Sequence, residues 1–64
     1  MRQGTVKFFN TEKGYGFITQ ENGKDLFVHA KAIKSGVLNE GSIVEYEVID
    51  GKKGPEASNV SVVG

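Results

Sequence analysis

Short apolar runs rich in Val, Ile, Phe and Tyr recur along the chain, each cut off by Gly, Asn, Asp or Pro before a helical period can develop. They predict five β-strands, over residues 4–10, 15–20, 25–29, 43–49 and 56–62. The breaks at 11–14, 21–23, 30–41 and 50–55 carry turn chemistry, and residues 30–34 are expected to form one helical turn. In the fourth run Val44, Tyr46 and Val48 alternate with Glu45 and Glu47, which predicts one buried and one wet face. In the fifth, Val60 and Val62 alternate more weakly with Asn59 and Ser61. Five short strands in so small a chain leave two exposed edges unless the sheet curls shut, so an all-β, small closed barrel is expected. No repeat, linker or low-complexity segment divides the chain, and residues 1–64 read as one domain.

The second and third strands depart from ordinary core patterning. In the second, Tyr15 and Phe17 share one face while Gly16 and Ile18 share the other; in the third, Phe27 and His29 stand opposite in sense to Leu26 and Val28. The aliphatic side chains can fill a core, which leaves the aromatic rings facing out. A two-residue turn at Asn22-Gly23 would set Phe17 against Val28 and mix the two sets. A three-residue loop, Glu21-Asn22-Gly23 with Gly23 left-handed, sets Phe17 opposite Phe27 and Tyr15 opposite His29. A slip of one residue would put Ile18 beside Phe27 and break the core, so the three-residue loop is predicted.

The result is a patch of four exposed rings, an aggregation hazard that needs a reason. Stacking of nucleic-acid bases supplies one, worth about 1 to 3 kcal/mol per base and tolerant of sequence. Lys7 and Lys13 border the patch, and Lys53 reaches it if the barrel closes, so these three are candidate phosphate contacts. Asp25, beside Phe27, is a candidate hydrogen-bond acceptor for a base edge, although read by itself it is expected to stabilise the turn in preference to that. His29 is read as a stacking ring in preference to a hydrogen-bonded surface residue. In the first strand Phe8 and Phe9 cannot both face the same way. Strict alternation groups Phe8 with core-like Val6, whereas a bulge would turn Phe8 outward.

Charge changes this picture only in its distribution. Eight basic residues balance eight acidic ones, so the strong positive excess usual in nucleic-acid binders is missing. Up to residue 34, however, Arg2, Lys7, Lys13, Lys24, Lys31 and Lys34 outnumber Glu12, Glu21 and Asp25, for a net charge of +3. Beyond it, Lys52 and Lys53 are outnumbered by Glu40, Glu45, Glu47, Asp50 and Glu56, for a net charge of −3. That asymmetry can put a positive face on a neutral molecule.

Sixty-four residues can bury only about 60% of their unfolded surface, which allows one thin core. With no Cys and a single His, neither a disulfide, a metal site nor another cofactor is expected. No apolar run approaches a membrane span, and Met1-Arg2-Gln3-Gly4 begins no secretory signal, so a soluble cytoplasmic protein is expected. An enzyme is not. His29 and Asp25 share a strand face, and Ser35 or Ser42 could be imagined as nucleophile, but no third element accompanies them. Gly14-Tyr15-Gly16 lacks the later Gly and the strand-turn-helix setting of a dinucleotide site. The competing class is a small barrel that binds a peptide through the same rings.

The residues carrying this reading resemble a known family. Lys13-Gly14-Tyr15-Gly16-Phe17-Ile18 is similar to the first ribonucleoprotein motif and Leu26-Phe27-Val28-His29 to the second, in the order and spacing of bacterial cold shock proteins. RNA-recognition-motif domains carry these motifs in the opposite order and need two helices, for which this chain is too short. Gly4-Thr5-Val6-Lys7-Phe8-Phe9-Asn10, Glu40-Gly41 and Gly54-Pro55-Glu56-Ala57-Ser58-Asn59-Val60 match the same family pattern, so the resemblance spans nearly the whole chain. It implies a five-stranded antiparallel oligonucleotide/oligosaccharide-binding (OB-fold) barrel that binds single-stranded RNA or DNA, prefers pyrimidine-rich stretches and acts as an RNA chaperone. It assigns stacking to Phe8, Phe17, Phe27 and His29, with Tyr15 in place of a usual Phe, and phosphate or polar contacts to Lys7, Lys13, Asp25 and Lys53. Phe8 stands where the family commonly has Trp, which favours the outward-facing alternative.

Two departures matter. Ala30 stands where the family usually has an aromatic, and residues 34–39 form a shorter segment without the usual loop Phe. Two missing stacking partners would weaken binding by up to about 10² to 10⁴ relative to an otherwise equal relative, with Lys31 recovering part of the loss. The shortened segment would also ease exchange of a barrel half between two chains, although a monomer is expected.

Overall fold

The computed structural model describes residues 2–52 and 54–64. All five expected strands are present, as β1 (Arg2–Asn10), β2 (Tyr15–Gln20), β3 (Asp25–His29), β5 (Ile43–Gly51) and β6 (Gly54–Val62). Between β3 and β5 the expected helical turn is shorter, a 3₁₀ turn over Ala30–Ala32, and the chain then adds a brief strand β4 (Ile33–Ser35). Three residues are too few to leave a period in the sequence. β4 exists because Ile33 and Ser35 find Val60 and Ser61 of β6 alongside them.

The sheet runs β3-β2-β1-β5-β6-β4, and β3 also pairs with β6, which shuts the barrel. The hairpin and β1–β5 ladders are antiparallel, while β3–β6 and β4–β6 are parallel. Parallel neighbours need a long crossover, and residues between β3 and β6 supply it by way of the 3₁₀ turn, β4 and β5.

The inward faces meet in one core of Val6, Ile18, Leu26, Val28, Leu38, Val44, Tyr46, Ala57 and Val60, with Phe9, Ala32, Ile33 and Val62 packed against it. Leu38 comes from the segment after β4 and fills the barrel from outside any strand. Val48, expected on the buried face of β5, is instead 38% exposed. Among the described residues β1 accompanies β5 only as far as the Arg2–Tyr46 pair, and no described strand continues along that side of β5 beyond Tyr46. In β6 the buried positions Ala57 and Val60 are three apart because the β5–β6 register shifts between Glu45 and Glu47. Asn59 takes up the shift with a left-handed backbone, φ 51°, and its amide donates to Glu47 Oε1 at 2.8 Å. Among the described residues no helix is long and apolar enough to cross a membrane.

Candidate nucleic-acid interface

The interface is built on β1, β2 and β3, and its alignment starts in the β2–β3 loop. Gly23 has φ +85° and donates its N–H to the Gln20 carbonyl at 2.9 Å, while the Gln20 N–H donates to the Lys24 carbonyl at 3.0 Å. Asn22 Oδ1 accepts the Lys24 N–H at 2.9 Å and holds the turn. The three loop residues thus set Tyr15 opposite His29, Phe17 opposite Phe27 and Ile18 opposite Leu26, the register expected from the loop.

The choice between Phe8 and Phe9 falls to a bulge. Val6 pairs with Ile18 and Phe8 with Phe17, so one residue, Lys7, is extra on β1. A bulge turns two successive residues to one side, and here Lys7 and Phe8 both point outward while Phe9 packs inward over Gly16. Phe8 is 39% exposed.

The rings form a continuous chain across the three strands. Phe8 and Phe17 lie 5.5 Å apart between centroids, Phe17 and Phe27 5.8 Å edge to face, Phe27 and Tyr15 6.0 Å and nearly parallel, and Phe27 and His29 6.5 Å. Tyr15, Phe17 and Phe27 are half-buried and His29 is exposed, so each is supported from below and open above. His29 Nδ1 accepts the Lys31 N–H at 3.2 Å, which caps the 3₁₀ turn, fixes the ring's tilt and puts the neutral ring's proton on Nε2. The barrel core lies behind these rings, since Gly16, Ile18, Leu26 and Val28 on the reverse face are buried.

The charged candidates divide. Lys7 reaches over β2 to Asp25, with Nζ 2.8 Å from Oδ2, and Thr19 Oγ1 lies 3.4 Å from Asp25 Oδ1. Lys7 and Asp25, expected as separate contacts, are joined in an ion pair that their spacing in the sequence does not signal. They stand eighteen positions apart in sequence and meet only because β1 and β3 flank β2. Lys13 is exposed in the β1–β2 turn, its N–H held by Asn10 Oδ1 at 3.0 Å. Ala30 is exposed at the end of β3, where its N–H donates to the Gly14 carbonyl at 2.8 Å. The fourth candidate, Lys53, lies outside the described residues. Away from the rings, an open cleft of about 510 Å³ is lined by Arg2, Gln20, Glu21 and Tyr46 among others. Burial there raises the Tyr46 phenol above its ordinary pKa, with Arg2 pulling it partly back and Glu21 adding to the rise.

An open stack of rings with cations at its border can hold bases by their faces and phosphates by charge. The 'Cold-shock' DNA-binding domain family matches residues 2–63. The chain is 52% identical over 64 residues to the "Cold shock-like protein" of Thermotoga maritima, covering 95% of this chain and 97% of the relative. It is 54% identical over 63 residues to the "Cold shock protein CspA" of Staphylococcus aureus, covering 94% and 96% respectively. Among solved structures, "drosophila Unr CSD456" superposes with a TM-score of 0.79 at 24% identity, over 98% of this chain and 26% of that one, and shows the shared fold.

Proposed function

This chain belongs to the cold-shock domain family, which binds single-stranded nucleic acid, and from that premise we propose that its ring face holds a pyrimidine-rich single strand of RNA or DNA and keeps RNA unpaired. The observation that carries the reading is the continuous run of five rings, Phe8, Phe17, Phe27, Tyr15 and His29, on an exposed face. In this reading the rings stack on bases, Lys7, Lys13 and Lys53 meet phosphates, and Asp25 accepts a base-edge N–H. Catalysis has no part in it, and the working form is a cytoplasmic monomer.

Chaperone activity needs no energy source. A protein that binds only the unpaired strand draws hairpins open by mass action. With Ala30 in place of an aromatic ring, binding is weak and exchange rapid, which suits repeated opening of transient pairs.

The test is Tyr fluorescence during titration with a thymidine heptamer, in the wild type and in Phe17→Ala plus Phe27→Ala. Saturable quenching that disappears in the double variant supports the reading. No response to the thymidine or the matching uridine heptamer, from a folded protein, overturns it and moves attention to peptides.

A further inference from the structure

The ion pair between Lys7 and Asp25 lies on the face that meets the ligand, and it changes what Lys7 offers. A lysine ammonium 2.8 Å from a carboxylate presents little net charge to an approaching phosphate. A phosphate in contact with Lys7 Nζ would also stand within about 6 Å of Asp25, well inside the screening length of about 10 Å at 0.1 M salt. Both side chains remain solvent-exposed, 55% for Lys7 and 40% for Asp25, and exposed pairs of this kind open readily. The carboxylate is also positioned. Asp25 pairs with Thr19 in the β2–β3 ladder, and the Thr19 hydroxyl lies against its other oxygen. The bulge turns Phe8 out beside Lys7, so the ion pair and the exposed ring share one face.

We propose that Asp25 holds Lys7 as a competing counter-ion, so that a bound strand takes this ammonium from a carboxylate at the cost of the pair. The proposal rests on the single-strand reading. Its consequence is that Lys7 adds less to affinity, and less to salt dependence, than a free lysine in the same place. Each phosphate engaged by a free cation lowers log affinity by about 0.7 per decade of salt for a single strand. Three such contacts would give a slope of roughly −2, and the paired Lys7 makes the wild-type slope shallower. Salt also loosens the pair itself, which returns some positive charge to the interface as the rest is screened.

Asp25→Asn separates charge from hydrogen bonding, because the amide keeps a carbonyl oxygen for a base edge. The experiment titrates a thymidine heptamer against the wild type, D25N, K7Q and K7Q/D25N between about 20 and 300 mM salt, with thermal melts confirming that each variant is folded. D25N is expected to bind roughly threefold to tenfold more tightly at the low-salt end, with a slope steeper by about 0.7. On the K7Q background most of that gain disappears. If D25N binds no more tightly than a binding-competent wild type, the proposal fails and the single-strand reading stands. An equal gain with and without Lys7 also overturns it, because Asp25 would then act as a lone repulsive charge. If no variant binds the thymidine or the uridine heptamer, the single-strand reading falls and this proposal with it.

Discussion

Gly16 faces Phe9 across the β1–β2 ladder with no room for a side chain: a Cβ added at Gly16 would stand 2.7 Å from both the Phe9 Cα and its ring. The close approach lets Phe9 fold inward over β2, and with Phe9 inside, the bulge at Lys7 turns Phe8 out to extend the ring face. A glycine between two aromatic residues of a strand, Tyr15 and Phe17, is therefore a packing requirement of the opposite face.

Gly16→Ala should accordingly lower stability by about 1 to 3 kcal/mol, the usual cost of forcing volume into a packed site. The clash is with backbone, so no rotamer change relieves it. Thermal or urea unfolding checks this, and an unchanged midpoint would contradict the packing described for Phe9.

Ala30→Phe should strengthen binding to a thymidine heptamer by roughly fivefold to a hundredfold, one stacked base at about 1 to 3 kcal/mol. Ala30 is exposed just beyond His29, so the new ring need not enter the core. Equal affinities in parallel fluorescence titrations would mean that the strand does not pass over this end of β3.

Tyr46 links stability to alkaline pH. Burial raises its phenol pKa in the folded state, so folding disfavours the tyrosinate. The contribution is fully present below the unfolded value of about 10 and is lost as pH climbs through the folded value. The wild type should therefore lose melting temperature more steeply above about pH 10 than Tyr46→Phe does. Parallel losses in the two proteins would rule out Tyr46 as the source.

At position 59 the usual order of substitutions should invert. Alanine normally exceeds glycine by limiting the unfolded chain, but a left-handed φ of 51° penalises any Cβ by about 1 to 2 kcal/mol. Asn59→Gly is expected to melt above Asn59→Ala, because both lose the hydrogen bond to Glu47 and only the alanine keeps a strained Cβ. The reverse order of the two variants would show that the bulge in β6 re-registers.

Much of this protein is legible in sequence order, for a definite reason. Side-chain alternation has period two and turn geometry depends on two or three residues, so both act locally. Val44 and Tyr46 against Glu45 and Glu47 determine the inward face of β5 as far as β1 covers it. Gly23 and the Ile18–Leu26 match determine that Phe17 meets Phe27 and Tyr15 meets His29. What remained undecided depended on partners far along the chain. Whether Phe8 or Phe9 faces out turns on the space over Gly16, and the Lys7–Asp25 pair forms across an intervening strand. Leu38 enters the core from a segment with no period, β4 exists only beside β6, and Asn59 bends where β5 and β6 fall out of step. Local alternation can say that a residue belongs to one of two faces. Only packing of non-adjacent strands decides where an extra residue is absorbed, and each bulge inverts the alternation that follows it.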